Sequence, residues 1–366
     1  MRILHICSAR DFGGGERHLV DLCRELKARG HEVFVALRPT NVWESRLDFL
    51  PQENFLHVSI RNSFGMFSAK RIGRFIADKK IDIVHAHLGR DYLAASVANR
   101  ISPQSKLVIT RHVLFPMKPF HKLALRNVDA VVAVSTAVKK ELTKIFPSDK
   151  IHVIYNGLRF FSDIDREKLG AEFRELHGIA ADAPLIATVG ELKPQKGQRE
   201  FVLAANEIVK TIPDCRFVVA GIDNTLDKRF RRELRRLVSV FGLEHQFLWL
   251  DWIDDLTPLF AAADLFISPS QSESFGLAIL EAMSNGTAVL STATDGAREL
   301  IDDADLLVPV GDAIAIAEKA IDLMSDDDKR RAIGSKLSHS AMNRFSLDRM
   351  VDATEQLYTS LRRDLS

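Results

Sequence analysis

The stretch LFISPSQSESFGLAILEAMSN, residues 265–285, contains the alternation that decides the fold. Its first residues, Leu265–Ser268, are apolar and predict a buried strand, and Leu277–Asn285 predicts an apolar helix. The loop between them is short. A buried strand joined to a helix in this way is the repeating unit of a parallel, doubly wound α/β sheet.

The same alternation extends in both directions along the 366 residues, a length suited to two α/β domains. The sequence predicts two Rossmann-like doubly wound domains that face a central cleft. The predicted segments are a first domain over 1–160, a linker over 161–183, a second domain over 184–345, and a C-terminal helix over 346–366 that returns to the first domain. Ligands of such sheets bind at the carboxyl ends of the strands.

The loop of the opening stretch has the features of an anion site followed by a hydroxyl-binding site. Gly276 permits close approach of a ligand, and the N–H groups of the helix start attract a diphosphate. Glu281, just over one turn into the helix, is placed to accept two hydrogen bonds from a ribose. Glu273 lies before the helix and is expected nearer the sugar.

A second phosphate element is the turn GELKPQKG, residues 190–197, between a strand and a helix. Lys196 would place a cation beside a diphosphate leaving group, where negative charge grows as the glycosidic bond breaks. A glycine-rich loop at 13–15 follows the first strand. It lacks the third glycine of a dinucleotide fingerprint, and the second strand ends without a ribose-binding acid, so a dehydrogenase is disfavoured.

Nine of the twelve histidines precede residue 155. His85 and His87 end one strand and His112 follows another, so we expect them at a ligand-binding edge. For His85 and His87 a structural role stays open. A metal site would need a further acid or thiol ligand, and the sequence offers none beside them.

Charge and composition bear on location and partners. Residues 1–155 contain 25 Lys and Arg against 14 Asp and Glu (+11), and the remainder contains 25 against 35 (−10). The basic half suggests an anionic partner, and residues 111–122, which mix basic and large apolar groups, suggest an anionic membrane or a mobile acceptor loop. Three scattered cysteines and the absence of a signal-peptide pattern predict a cytoplasmic protein, with peripheral contact at the inner face of the membrane left open.

Taken together, these motifs resemble those of the retaining glycosyltransferases of family 4, which have the GT-B fold. The motifs that carry the resemblance are Gly13-Gly14-Gly15, Asp82-Ile83-Val84-His85-Ala86-His87, Asn156-Gly157, Lys196-Gly197, and the Glu273…Glu281 segment continuing into Ala282-Met283.

The resemblance implies a hexosyltransferase-type enzyme that moves a sugar from a nucleoside-diphosphate sugar, with UDP favoured, to a hydroxyl of a glycan, lipid-linked or small-molecule acceptor. It implies catalytic roles for His112, Glu273 and Lys196. It also implies donor-binding roles for Gly14, Gly15, Gly190, Lys193, Ser274, Phe275, Gly276, Leu277 and Glu281. Acceptor-side roles fall to His85, His87 and Arg111. No metal or other cofactor and no nucleic-acid partner is expected, and cell-envelope polysaccharide synthesis is the implied setting.

One residue departs from the family pattern. Relatives usually have an arginine after the glycine that begins the Lys196 motif, and this chain has Glu191. That change removes a cation from the diphosphate site unless Lys193 turns inward. Two alternatives therefore stay open, a nucleotide-sugar 2-epimerase of the same fold and a non-catalytic nucleotide-sugar binder.

Overall fold

The computed structural model describes residues 1–60, 66–160 and 165–363. It divides into two compact units. Unit 1 contains Met1–Gly157 and Leu347–Ser366, and unit 2 contains Leu158–Ser346. The last three residues of the predicted C-terminal helix, 364–366, lie outside the described residues.

The strands follow the predicted alternation closely, with small differences at their ends. They are β1 (Arg2–Cys7), β2 (Glu32–Leu37), β3 (Phe55–His57), β4 (Ile83–Ala86), β5 (Lys106–Arg111), β6 (Ala130–Ala133), β7 (Ile151–Val153), β8 (Leu185–Val189), β9 (Arg216–Ala220), β10 (Phe247–Leu250), β11 (Leu265–Ser268), β12 (Ala288–Thr292) and β13 (Leu307–Val308).

The helices lie between these strands and after the last one. They are α1 (Gly14–Ala28), α2 (Met66–Asp78), α3 (Tyr92–Ile101), α4 (His121–Ala124), α5 (Thr136–Leu142), α6 (Arg166–Leu176), α7 (Gln198–Ile208), α8 (Arg229–Val240), α9 (Thr257–Ala262), α10 (Leu277–Ser284), α11 (Asp295–Leu300), α12 (Ala313–Met324), α13 (Asp327–Arg344) and α14 (Leu347–Arg363). In the described part of the chain, no helix combines the length and apolarity needed to cross a lipid bilayer.

In unit 1, seven parallel strands form one sheet in the order β3-β2-β1-β4-β5-β6-β7. The direction of strand addition reverses between β1 and β4, and the carboxyl ends at such a switch form the usual ligand site of a doubly wound sheet. The register pairs His5 with His85, which brings histidines from both strands to this point. Helix α14 packs against α1, and its Tyr358 is fully buried.

In unit 2, six parallel strands have the order β10-β9-β8-β11-β12-β13. The reversal falls between β8 and β11, which pair directly through Leu265 and Ile186. The loop after β8 contains Lys196, and the loop after β11 contains Glu273. The topology therefore places both residues on neighbouring loops at one switch point.

The segment 161–183 differs from the predicted linker. Helix α6 lies within it and packs into unit 2, where Phe173 joins the hydrophobic core. Arg174 donates hydrogen bonds from Nη2 to the carbonyl oxygen of Ala262 at 2.7 Å and from Nη1 to that of Ala183 at 2.8 Å. Because a helix anchored by such contacts belongs to the domain it packs on, α6 is part of unit 2.

Candidate functional site

The loop after β11 is held by a network of hydroxyl, carboxylate and ammonium groups. Ser270 donates from Oγ to Glu273 Oε1 at 2.9 Å, and Lys196 Nζ lies 2.5 Å from the same oxygen. Thr292 donates from Oγ1 to the carbonyl oxygen of Ser270 at 2.5 Å. The side chains of Lys196 and Glu273 keep 26% and 12% of their surface exposed. The ion pair is therefore partly accessible to solvent.

Gly276 begins helix α10 in the left-handed conformation, with φ of 100°. This conformation favours glycine, because a Cβ would strain the backbone there. The first hydrogen bond inside the helix runs from Leu280 N–H to Gly276 C=O at 3.0 Å. The N–H groups of Leu277 and Ala278 point out of the first turn, as in every helix, and both residues are half-buried. N–H donors at a helix start of this kind can bind an anion.

Further along α10, Glu281 is half-buried, in contrast to the fully buried Leu280 and Ala282 on either side. Its carbonyl oxygen accepts bonds from Ser284 Oγ and Asn285 Nδ2. Phe275 is fully buried, so its side chain anchors the loop through packing. The aromatic ring of Phe345 meets it edge-on, with ring centroids 5.6 Å apart.

The loop after β8 shows what Glu191 does. Its Oε2 lies 2.5 Å from Lys193 Nζ, and its Oε1 accepts a bond from Asn224 Nδ2 at 3.3 Å. Gln198 donates to the carbonyl oxygen of Glu191 at 3.0 Å. Lys193 thus neutralises the acid that departs from the family pattern, and Lys196 is left as the cation that meets the Glu273 loop. Asp251, which follows β10, pairs with Arg231.

Unit 1 brings five histidines together at its own switch point. His5 and His87 share a hydrogen bond between Nδ1 and Nε2 of 3.0 Å. The rings of His18 and His112 meet edge-on with centroids 5.0 Å apart, and the His87 and His112 rings stack at 6.1 Å. His85 lies beneath, with Nδ1 bonded to the Tyr358 hydroxyl at 2.5 Å and Nε2 to the Thr110 hydroxyl at 2.6 Å.

Enclosure within this cluster keeps the imidazoles neutral at physiological pH. Burial lowers the pKa of His5 to about 3 and the pKa of His18 to about 4. Burial, followed by repulsion from neighbouring histidines, lowers the pKa of His85, His87 and His112 well below the ordinary value. A neutral ring can donate one hydrogen bond and accept another, or ligate a metal ion.

Around this cluster, the glycine loop and Arg111 occupy different surroundings. Gly14 is exposed, and Gly15 lies so that an added Cβ would be 3.9 Å from the His112 ring. Arg111 is 9% exposed and hydrogen-bonds the carbonyl oxygen of Phe115. Among the predicted acceptor-side residues, His85 and Arg111 therefore form hydrogen bonds within unit 1. His87 stacks on His112, the ring that lies beside Gly15.

Two family models match the chain in succession. The model "Glycosyltransferase Family 4" matches residues 12–159, and "Glycosyl transferases group 1" matches residues 171–338. The first match contains four of the five clustered histidines, and the second contains the Lys196–Glu273 pair and the start of α10.

The chain belongs to glycosyltransferase family 4. Curated relatives extend the match over the whole transferase. A lipopolysaccharide core biosynthesis glycosyltransferase, LpsE of Rhizobium meliloti, is 26% identical over 98% of this chain and 99% of its own length. The N-acetyl-alpha-D-glucosaminyl L-malate synthase of Bacillus anthracis is 26% identical over 94% of this chain and 93% of its own. The transferase is thus an enzyme of the hexosyltransferase type.

Solved structures show the same fold. A glycosyltransferase from Rickettsia africae has a TM-score of 0.85 and 25% identity, covering 98% of both chains. HepE from Anabaena, solved in complex with UDP and glucose, has a TM-score of 0.85 and 21% identity, covering 98% of this chain and 100% of its own. The transferase therefore has the GT-B fold, built here from two parallel-sheet α/β units.

Several residues of these sites were not singled out from the sequence. His5 and His18 join the histidine cluster, and Gly296 of α11 contacts the loop of unit 2. The excess of histidine in the first half was the signal for the first two. Gly296 has no such signal, because its role depends on a close approach between α11 and the loop after β11.

Gly296 supports Phe275 directly, since its N–H donates to the carbonyl oxygen of Glu273 at 3.0 Å and an added Cβ would lie 2.7 Å from the backbone nitrogen of Phe275. Gly296→Ala gains about 1 kcal/mol of helix propensity but creates this overlap, which costs about 1–3 kcal/mol. We expect the overlap to prevail, so that urea unfolding shows a lower free energy of unfolding and the transferase binds nucleotide more weakly.

The matched control for this variant is Asp295→Ala, an exposed neighbour in the same helix. It should change the free energy of unfolding by less than about 1 kcal/mol. Equal stability and equal nucleotide affinity in Gly296→Ala and the wild type would show that the loop has room to move away.

Proposed function

We propose that the transferase moves a sugar from a nucleoside-diphosphate sugar, with UDP-sugar favoured, to a hydroxyl group of a glycan, lipid-linked or small-molecule acceptor, with retention at the anomeric carbon. The observation that carries the proposal is the arrangement in unit 2. A lysine ammonium and the N–H groups of a helix start lie on adjacent loops at the switch point of the sheet. Such an arrangement suits a diphosphate.

In this proposal the diphosphate contacts Lys196 and the backbone of residues 274–277, the start of α10 and the turn before it. Gly190 permits close approach of the backbone after β8 to the diphosphate, and Lys193, paired with Glu191, lies on the same loop. Glu281 accepts the two ribose hydroxyls. Glu273, held in place by Ser270, contacts sugar hydroxyls. Gly14 and Gly15 are proposed to contact the diphosphate or the acceptor, and His112 the transferred sugar.

In the proposed reaction, the donor phosphate is both the leaving group and the base that accepts the proton. The bond between the anomeric carbon and the β-phosphate oxygen breaks, and its electron pair passes to that oxygen. The acceptor hydroxyl attacks the anomeric carbon on the face from which the diphosphate leaves, through an oxocarbenium-like transition state. The proton of that hydroxyl passes to the departing phosphate. Lys196 stabilises the negative charge that grows on the leaving group, because a fixed cation needs no reorganisation as the charge develops.

We propose that transfer needs no metal ion, because Lys196 and the helix start supply the positive field that a divalent cation would otherwise provide. The Glu191–Lys193 pair is compatible with transfer that needs no metal ion. Glu191, the residue that departs from the family pattern, is neutralised by Lys193. Of the two lysines in the loop after β8, Lys196 is the one that pairs with Glu273.

For the donor, the proposal draws on HepE, whose structures contain UDP, UDP with glucose, and UDP-glucose. For the acceptor, it draws on LpsE, a lipopolysaccharide core biosynthesis glycosyltransferase, which fits cell-envelope polysaccharide synthesis by a cytoplasmic enzyme. The epimerase and the non-catalytic binder gain no specific support from the geometry.

The experiment is a thermal-shift screen with UDP-, GDP- and ADP-sugars in EDTA, followed by NMR of the product. A ligand that binds the native state raises the apparent stability. We expect UDP-sugars to give the largest shift, and slow hydrolysis or transfer to release UDP and a sugar of retained configuration. A 2-epimerised sugar would support the epimerase, and binding without hydrolysis or transfer to any acceptor would support the binder.

Membrane contact is a further part of the proposal. Around helix α4 of unit 1, Phe115, Phe120 and Leu123 are 68%, 47% and 72% exposed, and the exposed Lys118 and Lys122 alternate with them. Basic and large apolar side chains exposed together suit the interface of an anionic bilayer.

We therefore expect the transferase to float with vesicles that contain anionic phosphatidylglycerol at low salt. The double variant Phe115→Ser, Leu123→Ser should float less, since it loses buried apolar area. Phe67, which is 90% exposed on α2 of the same unit, supplies the control Phe67→Ser. Equal flotation of all three proteins, or no flotation of the wild type, would remove the membrane from the proposal.

A further inference from the structure

The histidine cluster of unit 1 contains two groups of three ring nitrogens whose geometry suits a metal ion. Within each group the candidate nitrogens all lie within 4.8 Å of one another. One group is formed by His5, His85 and His87, and the other by His18, His87 and His112. Three imidazole nitrogens with an open fourth position are a common ligand set for Zn²⁺.

Existing hydrogen bonds separate the two groups. In the first group, both nitrogens of His85 are bonded to hydroxyls, and His5 and His87 are bonded to each other. An ion there would have to break one of the two His85 bonds, although His5 Nε2 and His87 Nδ1 have no partner among the described residues. In the second group, His18 Nδ1 and His87 Nδ1 are buried and have no hydrogen-bond partner among the described residues. Buried nitrogens in this state are costly, and coordination of an ion would satisfy both.

The surroundings of the second group resemble the outer shell of a metal site. The other nitrogen of His87, Nε2, forms a hydrogen bond with His5 Nδ1. When Nε2 is the donor in this bond it carries the proton, so His87 Nδ1 has a lone pair for the ion. His18 is hydrogen-bonded by the side chain of Asn156. Such bonds orient the ligating rings and fix which nitrogen faces the ion. His112 is half-buried, so an ion can reach the group from its side.

We infer that His18, His87 and His112 form a site for a divalent transition-metal ion of the Zn²⁺ class. A tetrahedral ion with bonds of about 2.0–2.1 Å separates its ligand nitrogens by about 3.4 Å, so modest inward rotation of the rings is enough. Mg²⁺ is excluded, because it prefers oxygen ligands. Catalysis as proposed above needs no ion. An ion here instead occupies His112 and inhibits transfer, a consequence that rests on the proposed sugar contact of His112.

The test titrates the full chain, freed of metal with a chelator, with Co²⁺ and then with Zn²⁺ in the absence of nucleotide. We expect one Co²⁺ per chain with the strong visible absorption of tetrahedral cobalt, displaced by Zn²⁺ with a dissociation constant in the micromolar range or below. His112→Ala should weaken Zn²⁺ binding by more than about a hundredfold. Asn156→Ala, which loses an outer-shell bond, should weaken it by about tenfold. His121→Ala, which changes a half-buried histidine on α4 of the same unit, outside the cluster, should bind as the wild type does.

Circular dichroism establishes that each variant is folded, and His18→Gln gives a second ligand variant if His112→Ala unfolds. Unchanged Zn²⁺ affinity in a folded ligand variant, or no binding by the wild type at 100-fold excess ion, would overturn the site. Because these measurements use no donor or acceptor, they stand even if the proposed transfer reaction fails. Transfer that continues undiminished in a chain saturated with Zn²⁺ would overturn the inhibitory role.

Discussion

Lys196→Met is expected to lower kcat by about 10²–10³-fold, which is the usual cost of removing one preorganised group that stabilises charge in a transition state. The methionine keeps most of the length of the side chain and loses the ammonium that lies 2.5 Å from Glu273 Oε1. Because negative charge on the departing diphosphate is largest in the transition state, the loss should appear mainly in kcat and less in KM for the donor.

Lys210→Met is the matched control, because Lys210 is an exposed lysine of unit 2 that forms a comparable ion pair with Glu207. We expect its kcat to equal that of the wild type. Both variants should keep the wild-type melting temperature to within a few degrees. A kcat for Lys196→Met within a factor of three of the wild type would remove Lys196 from the diphosphate site.

Glu281→Ala is expected to reduce kcat/KM for the donor by at least about a hundredfold. A hydrogen bond to a charged group contributes about 1.5–3 kcal/mol, and the carboxylate is proposed to accept two from the ribose. Since these bonds exist in the ground state as well as in the transition state, the loss should include weaker binding of UDP itself. Calorimetry with UDP measures that loss without any acceptor.

The control for this variant is Glu318→Ala, which removes an exposed carboxylate from α12 of the same unit. It should leave UDP affinity unchanged. Full turnover and full UDP affinity in a correctly folded Glu281→Ala variant would show that the ribose lies elsewhere.

Much of the fold is readable from the sequence, because buried parallel strands are short apolar runs. Strand β11, for example, has the predicted bounds Leu265–Ser268. Helix α13 was not predicted. Its inner face buries Arg330 and Gly334 beside Leu337 and Ala341, so it lacks a continuous apolar stripe. Helix α6 was taken for a linker because its sequence is polar, although Phe173 and a few bonds from Arg174 are enough to hold it on unit 2.

The donor loop is also largely readable, since Gly276 and the two glutamates around it lie in one continuous segment. What the sequence does not give is the pairing across loops. Lys196 meets Glu273 because β8 and β11 are neighbours in the sheet, and Lys193 meets Glu191 instead of filling the place of the missing arginine. The histidine cluster has the same origin, because the β1–β4 register brings His5 beside His85.

Unit 2 is proposed to bind the donor diphosphate at the Gly276 helix start. A crystal structure of the chain with UDP tests it most directly, through the distances from the diphosphate oxygens to Lys196 Nζ and to the N–H groups of the first turn of α10. We expect at least one phosphate oxygen within about 3 Å of Lys196 Nζ and at least one within about 3 Å of an N–H group in the first turn of α10, with the ribose hydroxyls hydrogen-bonded to Glu281. A diphosphate bound away from both groups, with Lys196 still paired only with Glu273, would contradict it.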